Sequence, residues 1–520
     1  MIYLKSNMEK KELRSEKLLR NASWATIGYL IYALVGFVSR SLFVSRLGEE
    51  LAGVSTLFSN ILYMLNMAEL GFYGAISIHL YKPVAEGNEK KIAALMNLYK
   101  TAYRVVALAI FVMGLALMPF IHFIVKTDAA VPHLQWYFFL YLLRTVFSYC
   151  FAYKGTLISV YQEDYRRTNI NNLILILTTL AQTVILYVTA DFTLYLITAV
   201  LGTLITNLLI HWEASRLYPY LNKYKSERVS VEDRSSIFAY IKAESINKIS
   251  RSVKSATDSM ITSAFVNVVI TGIVGNYMMV IGTVEKLLGF FFGNCSPAVG
   301  NMVVTADKKD QYNTFLDLEY IAFWVYGFLS AGMLCVLTPF VRDIWIRQEN
   351  MILGNSTLLL LLVNFFLTGI NYPATIFFDV RGLIKKMPYI NVLNLLVNLV
   401  VSLALVKWLD VNGVYIGTVL SLALTTFPLT QYLVLRYHFD GDYRPYLRLC
   451  LSYLAVTLVC CGVSFVLCEQ ITLTGLLGVI ARILVCTVSY NGIFLLCSFR
   501  SREFRSLFVL AKKILHTKRS

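Results

Sequence analysis

Apolar stretches of about 20 residues recur fourteen times along this chain of 520 residues, each long enough to cross a hydrocarbon core of about 30 Å as an α-helix. Six lie at 22–45, 51–79, 104–124, 134–158, 169–189 and 193–212, ahead of a polar, basic loop. Six more follow at 248–268, 271–300, 319–341, 356–379, 388–407 and 412–435, and a last pair at 449–468 and 473–497. The break between the seventh and eighth is expected near Thr271-Gly272. Composition closes off the other classes. With 57% apolar or aromatic residues, 15% charged and a mean hydropathy of +0.62, the chain lacks the polar surface of a soluble protein of this length. It is far too hydrophobic to be disordered. Its net charge of +16 does not make it a nucleic-acid binder, because that needs a solvated basic face on a water-soluble fold. The expected fold class is an all-α integral membrane protein of about fourteen transmembrane helices.

Charge orients these spans. Of 47 Lys and Arg, 37 fall on the side of the two termini, five on the opposite side (Arg46, Lys126, Arg342, Arg347, Lys407) and five within spans (Arg40, Arg144, Lys154, Lys286, Arg482). Counting acids as well, the three classes carry about +20, −3 and −1. Both termini are therefore expected on the cytoplasmic side. The expected organisation is a cytoplasmic tail at 1–21, an N-lobe at 22–213, a cytoplasmic linker at 214–247, a C-lobe at 248–436, two further helices at 449–497 and a cytoplasmic tail at 498–520. In that last tail Phe504, Leu507, Phe508, Ala511, Ile514 and Leu515 repeat at helical spacing between basic residues, as in a helix lying on an anionic leaflet. No cleavable signal segment is expected, and the nine cysteines, with no CxxC pair, read as small packed hydrophobes.

The two sets of six spans behave as a repeat at an offset of 219 residues. Tyr153 and Thr156 fall on Tyr372 and Thr375, Arg166-Arg167 on Lys385-Lys386, Asn172 on Asn391 and Asp191 on Asp410. An even number of spans per repeat gives both lobes the same orientation, related by a pseudo-twofold axis along the membrane normal. Transporters built this way bind substrate near the bilayer midplane.

Ionisable groups inside spans are costly and usually face a cavity or a partner. Arg144 falls near the middle of the fourth span, Arg40 in the outer half of the first and Asp258 in the seventh. At the repeat offset Ser39 meets Asp258 and Arg40 meets Ser259, so opposite charges lie at almost the same depth. Arg40 and Asp258 form either a gate across a central cleft or separate local pairs. Glu69 and Glu285 either bind a coupling H⁺ or Na⁺ or orient the basic groups. Asn60, Asn276 and Asn371, with Asn364, Asn394 and Asn398, read first as interhelical hydrogen-bonding groups and second as sugar contacts. Gly413/Gly417 and Gly289/Gly293 have the GxxxG spacing of close helix contacts, and Pro297 and Pro373 mark bends in the eighth and tenth spans. Walker A, HExxH and GxSxG sequences are absent, and the six histidines show no ligand spacing. Neither an enzyme, a metal site nor a cofactor is expected.

The run Leu47-Gly48, Gly53, Leu57-Phe58-Ser59-Asn60, Glu69-Leu70-Gly71 and Tyr81-Lys82-Pro83, followed by Lys90-Lys91-Ile92, resembles the start of bacterial polysaccharide-unit flippases. These are Wzx-type members of the multidrug/oligosaccharidyl-lipid/polysaccharide exporter superfamily. The span count, two six-helix lobes and trailing helix pair extend the resemblance over nearly the whole chain. It implies translocation of undecaprenyl-diphosphate-linked oligosaccharide across the bacterial cytoplasmic membrane by alternating access, for surface polysaccharide biosynthesis. A polysaccharide polymerase and assembly proteins would be partners, besides membrane lipids. It also implies a cationic cavity for the headgroup. A diphosphate calls for guanidinium donors, which places Arg40, Arg144, Arg251 and Lys254 first as headgroup contacts. Rival readings are a cation-coupled multidrug exporter or a lipid II flippase of the same superfamily. From another class stands a membrane polysaccharide polymerase or ligase, which usually needs a large external loop.

Overall fold

The computed structural model describes residues 2–65, 72–127, 131–150, 152–238, 241, 256–380, 387–439 and 441–517, and among these no strand occurs. Nine helical stretches among them are long and apolar enough to cross a membrane. Large apolar side chains stand outward on them, as a hydrocarbon solvent requires: Leu34, Val38, Leu108, Val184, Trp408 and Val488 are all more than half exposed. The chain is a multi-pass, all-helical membrane protein. It divides into two compact units, Met1–Gly272 and Ile273–Ser520.

The first unit holds α1 (Ile2–Leu65), α2 (Phe72–Ala85), α3 (Glu89–Leu117), α4 (Leu134–Cys150), α5 (Asp164–Val188) and α6 (Phe192–Leu217). α1 contains the first expected span and part of the second, divided at Gly48, whose φ of 84° is open to glycine and strained for other residues. The turn there returns the chain so that Arg40 meets Ala52 and Thr56. α1 packs along α5, α3 against α4, and α6 against both α4 and α5. Side-chain caps set the starts: Asn88 accepts from the Lys91 amide at 3.0 Å, and Asp191 accepts from the amides of Thr193 and Leu194 at 2.6 and 3.1 Å.

The break between the seventh and eighth expected spans lies four residues before Thr271-Gly272. A π-turn at Thr262–Val266 ends in Asn267, whose backbone is extended, and the next helix, α7 (Val268–Thr305), begins beside it. The Val268 amide donates to the Lys126 carbonyl at 2.8 Å, and Ser263 Oγ donates to the Ile124 carbonyl at 2.8 Å. Gly272 serves contact and does not break the helix. A Cβ there would come within 2.6 Å of the Gly53 amide, so the missing side chain lets two backbones touch.

The second unit continues from α7 into α8 (Lys308–Pro339), α9 (Asn355–Ile370), α10 (Tyr372–Val380), α11 (Met387–Ser421) and α12 (Phe427–Tyr437). α13 (Tyr443–Glu469), α14 (Gly475–Ser498) and α15 (Arg502–Thr517) complete it. The tenth expected span is interrupted at Asn371, just before Pro373, giving α9 and α10. α11 doubles back at Asp410 (φ 48°, ψ −135°), so it contains the eleventh span and the start of the twelfth. Its limbs are joined by Asn398 Nδ2 donating to Thr418 Oγ1 at 2.9 Å and Ser402 Oγ donating to the Val414 carbonyl at 3.0 Å. Asn394 Nδ2 extends the seam to Thr425 Oγ1, in the π-turn that follows, at 3.2 Å. Gly413 and Gly417 lie in this seam, each against the opposing backbone. Gly293 has open space where a Cβ would stand, so the same spacing serves no contact there. α8 packs against α9, α13 and α14, and α13 against α14. The basic, amphipathic tail is helical as expected, and Arg502 at its start pairs with Asp317 of α8 at 3.2 Å.

Candidate functional site

The first unit gathers several of the expected residues. The Arg40 guanidinium donates to the Ala52 carbonyl at 3.4 Å, to Thr56 Oγ1 at 3.3 Å and to the Gly272 carbonyl at 3.5 Å, and lies over the Phe43 ring at 5.5 Å. Neutral oxygens and an aromatic face thus hold it in place at the long end of hydrogen-bond range. Ser55, one residue before Thr56, shares a 2.7 Å hydrogen bond with the Tyr141 hydroxyl of α4. Tyr141 is buried, and the charges of both Arg40 and Arg144 bear on it. Two arginines 104 positions apart in sequence therefore share one neighbourhood.

Arg144 lies three residues beyond Tyr141 on α4, so it emerges near the same face one turn on. Its Nε donates to Thr203 Oγ1 of α6 at 3.3 Å, the side chain is exposed, and among the described residues no carboxylate pairs with it. It opens onto a cavity of about 280 Å³ walled by α4, α5 and α6. Polar groups come from all three walls: Arg144 and Ser148, Arg167 and Asn171, Thr206 and Asn207. The first two pairs are four residues apart and fall on one helical face each, and on α6 Thr203 shares such a face with Asn207. Arg167 reaches the cavity across Gly155, where a Cβ would come within 3.1 Å of its Cδ. Asp164, one turn earlier on α5, accepts from Arg167 Nε at 2.8 Å and fixes its direction. Among the described residues no acidic side chain lines the cavity. Its chemistry is that of an anion site: two guanidinium groups with amides and hydroxyls around them.

Asn60 also belongs to this unit, donating from Nδ2 to Ser259 Oγ at 2.6 Å. Its neighbour Asp258 is 7% exposed, with its carbonyl accepting from Thr262 Oγ1 at 2.8 Å. Three other expected residues belong to the second unit. Asn276 is fully buried on α7, and Glu285 is half-buried about two and a half turns beyond it. Asn371 occupies the break between α9 and α10, 8% exposed. Arg251, Lys254 and Glu69 fall outside the described residues.

Sequence reasoning missed Arg167, Thr203 and the amides of Asn171 and Asn207, although a signal was present. Arg167, Asn171, Leu175 and Thr178 recur at helical spacing, as do Ala199, Thr203, Thr206 and Ile210. The apolar run starts at 169 and leaves Arg167 outside the span, whereas the helix starts at Asp164. Hydropathy finds the hydrocarbon-length run; it does not find the polar turn that extends a helix beyond it.

No family model matches this sequence, and no curated protein matches it. Solved structures do. A lipid II flippase, MurJ, in an inward closed conformation superposes with a TM-score of 0.64 at 12% identity, over 91% of this chain and 98% of that one. A multidrug resistance MATE family transporter of the MOP superfamily, inward-facing, gives 0.59 at 14% identity, over 79% and 98%. An outward-facing conformation of a MATE family transporter gives 0.55 at 15%, over 81% and 96%. The chain therefore has the fold of the transporters and flippases of that superfamily.

Proposed function

We propose that this protein is a flippase that carries an undecaprenyl-diphosphate-linked oligosaccharide from the cytoplasmic to the outer leaflet of the bacterial cytoplasmic membrane by alternating access. Its role would be in surface polysaccharide biosynthesis. The observation that carries this reading is the cavity of the first unit, with Arg144 and Arg167 on its walls and, among the described residues, no acid. Its 280 Å³ lies near the lower end of small-molecule sites, about 300 Å³, and suits a diphosphate headgroup, with the sugars extending beyond it. A guanidinium without a carboxylate partner, within a span, repays its desolvation when a phosphate oxygen arrives.

The same lining weighs against a cationic drug as cargo, since such a molecule needs negative charge and meets two arginines. A lipid II flippase shares the diphosphate chemistry and differs in the sugar. Arg251 and Lys254 would receive the headgroup at the cytoplasmic face, Asn60, Asn276 and Asn371 would contact sugar, and Arg40 with Asp258 would gate. Glu69 and Glu285 would take part in ion coupling.

Deletion tests the function directly. The expected outcome is loss of surface polysaccharide, with the lipid-linked unit protected from reagents added outside the cell. Unchanged polysaccharide in a clean deletion, with no second flippase present, overturns the reading. For the gate, exchanging the charges (R40D with D258R) should restore transport lost in each single variant. Continued failure of the double variant, with wild-type amounts in the membrane, removes the pairing.

A further inference from the structure

The second unit contains a carboxylate that neither the span pattern nor the proposed transport site uses. Glu319 stands on α8 and is 1% exposed. Its Oε1 accepts from Nε2 of Gln431 on α12 at 3.2 Å, and Tyr446 of α13 lies beside the same carboxyl, its hydroxyl making no hydrogen bond among the described residues. Gln431 is fully buried and Tyr446 is 1% exposed. Three helices thus bring oxygen-bearing side chains to one buried point. The second carboxyl oxygen, Oε2, and the amide oxygen of Gln431 have no hydrogen-bond partner among the described residues.

Around this point the walls are aromatic: Phe315 lies 5.7 Å from the Tyr446 ring and 5.4 Å from that of Phe439. Among the described residues no basic side chain pairs with Glu319. Arg502 pairs with Asp317, and Lys308 donates to the His438 carbonyl. A buried carboxyl oxygen and a buried amide oxygen left without donors are each costly. One cation held by several oxygens satisfies both at once, as hard cations are held in proteins. A single carboxylate balances a single positive charge, so a divalent ion would leave net charge in an apolar surround.

We propose that Glu319, Gln431 and Tyr446 form a binding site for a monovalent metal cation of the sodium class. The bound ion ties α8, α12 and α13 together. This site is independent of which headgroup the first unit carries, and its test needs no transport assay.

The purified full-length protein in lipid nanodiscs is heated in NaCl, KCl, LiCl or choline chloride at one ionic strength and pH. Tm should rise saturably with one of the metal ions relative to choline. The rise should vanish in E319Q, and in Y446F half-saturation should move to about tenfold higher ion concentration, the loss of one oxygen contact. Equal Tm in all four salts overturns the site. So does an ion-dependent rise of wild-type size in E319Q, which places the ion elsewhere. A Tm that follows pH and ignores the metal ion identifies a proton site or a buried water and overturns the metal. If E319Q does not fold, Y446F decides: wild-type half-saturation rejects the proposal.

Discussion

The α5–α6 hairpin of the first unit and the two limbs of α11 in the second occupy equivalent positions at the 219-residue offset. Both turn on a residue of positive φ, Ala190 at 52° and Asp410 at 48°. Their buried polar groups are used differently. In α11 the amides and hydroxyls pair with one another: Asn398 with Thr418, Asn394 with Thr425 of the following turn, and Ser402 with the Val414 carbonyl. In α5 and α6 Gln182 Nε2 crosses to the Tyr195 carbonyl at 3.0 Å, while Asn207, with the less buried Arg167, Asn171 and Thr206, faces a cavity shared with Arg144. The offset explains the split. Arg144 corresponds to Val363 and Asn171 to Ile390, while Leu175 and Thr179 correspond to Asn394 and Asn398. Leu175 and Thr206 of the cavity wall fall on Asn394 and Thr425 of the seam, so the amide that closes the α11 pair is a leucine in α5.

The largest expected effect concerns the closed seam. A Cβ at Gly417 would stand 2.3 Å from Ser402 Oγ and 2.8 Å from the Ser402 amide, and backbone cannot yield. Gly417→Ala should therefore cost about 2–3 kcal/mol of unfolding free energy, and Gly202→Ala, opposed by the Thr178 side chain, about 1 kcal/mol. Denaturant unfolding in mixed micelles measures both, and equal costs would break the distinction between the two hairpins.

The open hairpin should respond in binding. Arg144→Ala should weaken undecaprenyl diphosphate binding about tenfold or more while leaving Tm nearly unchanged. Titration of the purified protein checks this, and wild-type affinity would show that the cavity is not the headgroup site. Asn398→Ala should do the reverse, lowering stability by about 1 kcal/mol with affinity unchanged.

The smallest effect lies outside both hairpins and serves as a control. Lys91 donates to Asp233 at 2.8 Å and holds its carboxyl below the ordinary aspartate range. A depressed carboxyl contributes stability above its unfolded-state value and loses it as pH falls through the folded one. Hydrogen exchange near residues 231–238 should therefore quicken at acid pH, weakly because the pair is solvent-screened, and Asp233→Asn should remove that dependence.

How much of this was legible in the sequence differs from residue to residue. Arg144 was legible, because a charge in the middle of an apolar run has few innocent explanations. Pro373 was legible as an interruption, and the helix breaks just before it; Pro297 reads the same way, yet α7 runs through its position unbroken. Gly272 was misread, since glycine marks a break and a close contact alike, and only its neighbour Gly53 tells them apart. Glu319 stayed hidden at the margin of an apolar run, where a carboxylate ordinarily meets water. Asn398 and Asn171 are the same residue type on equivalent helices, and nothing local assigns one to a seam and the other to a cavity.

The sequence by itself determined that the chain is helical and crosses a membrane many times. Hydrocarbon thickness sets the run length, and the need to satisfy every backbone group within lipid leaves helices as the answer. Both are properties read along the chain. Which buried polar groups pair, which line a cavity, and that Glu319, Gln431 and Tyr446 meet were decided by tertiary structure alone. These three lie 15 to 127 residues apart, and only packing brings them to one point.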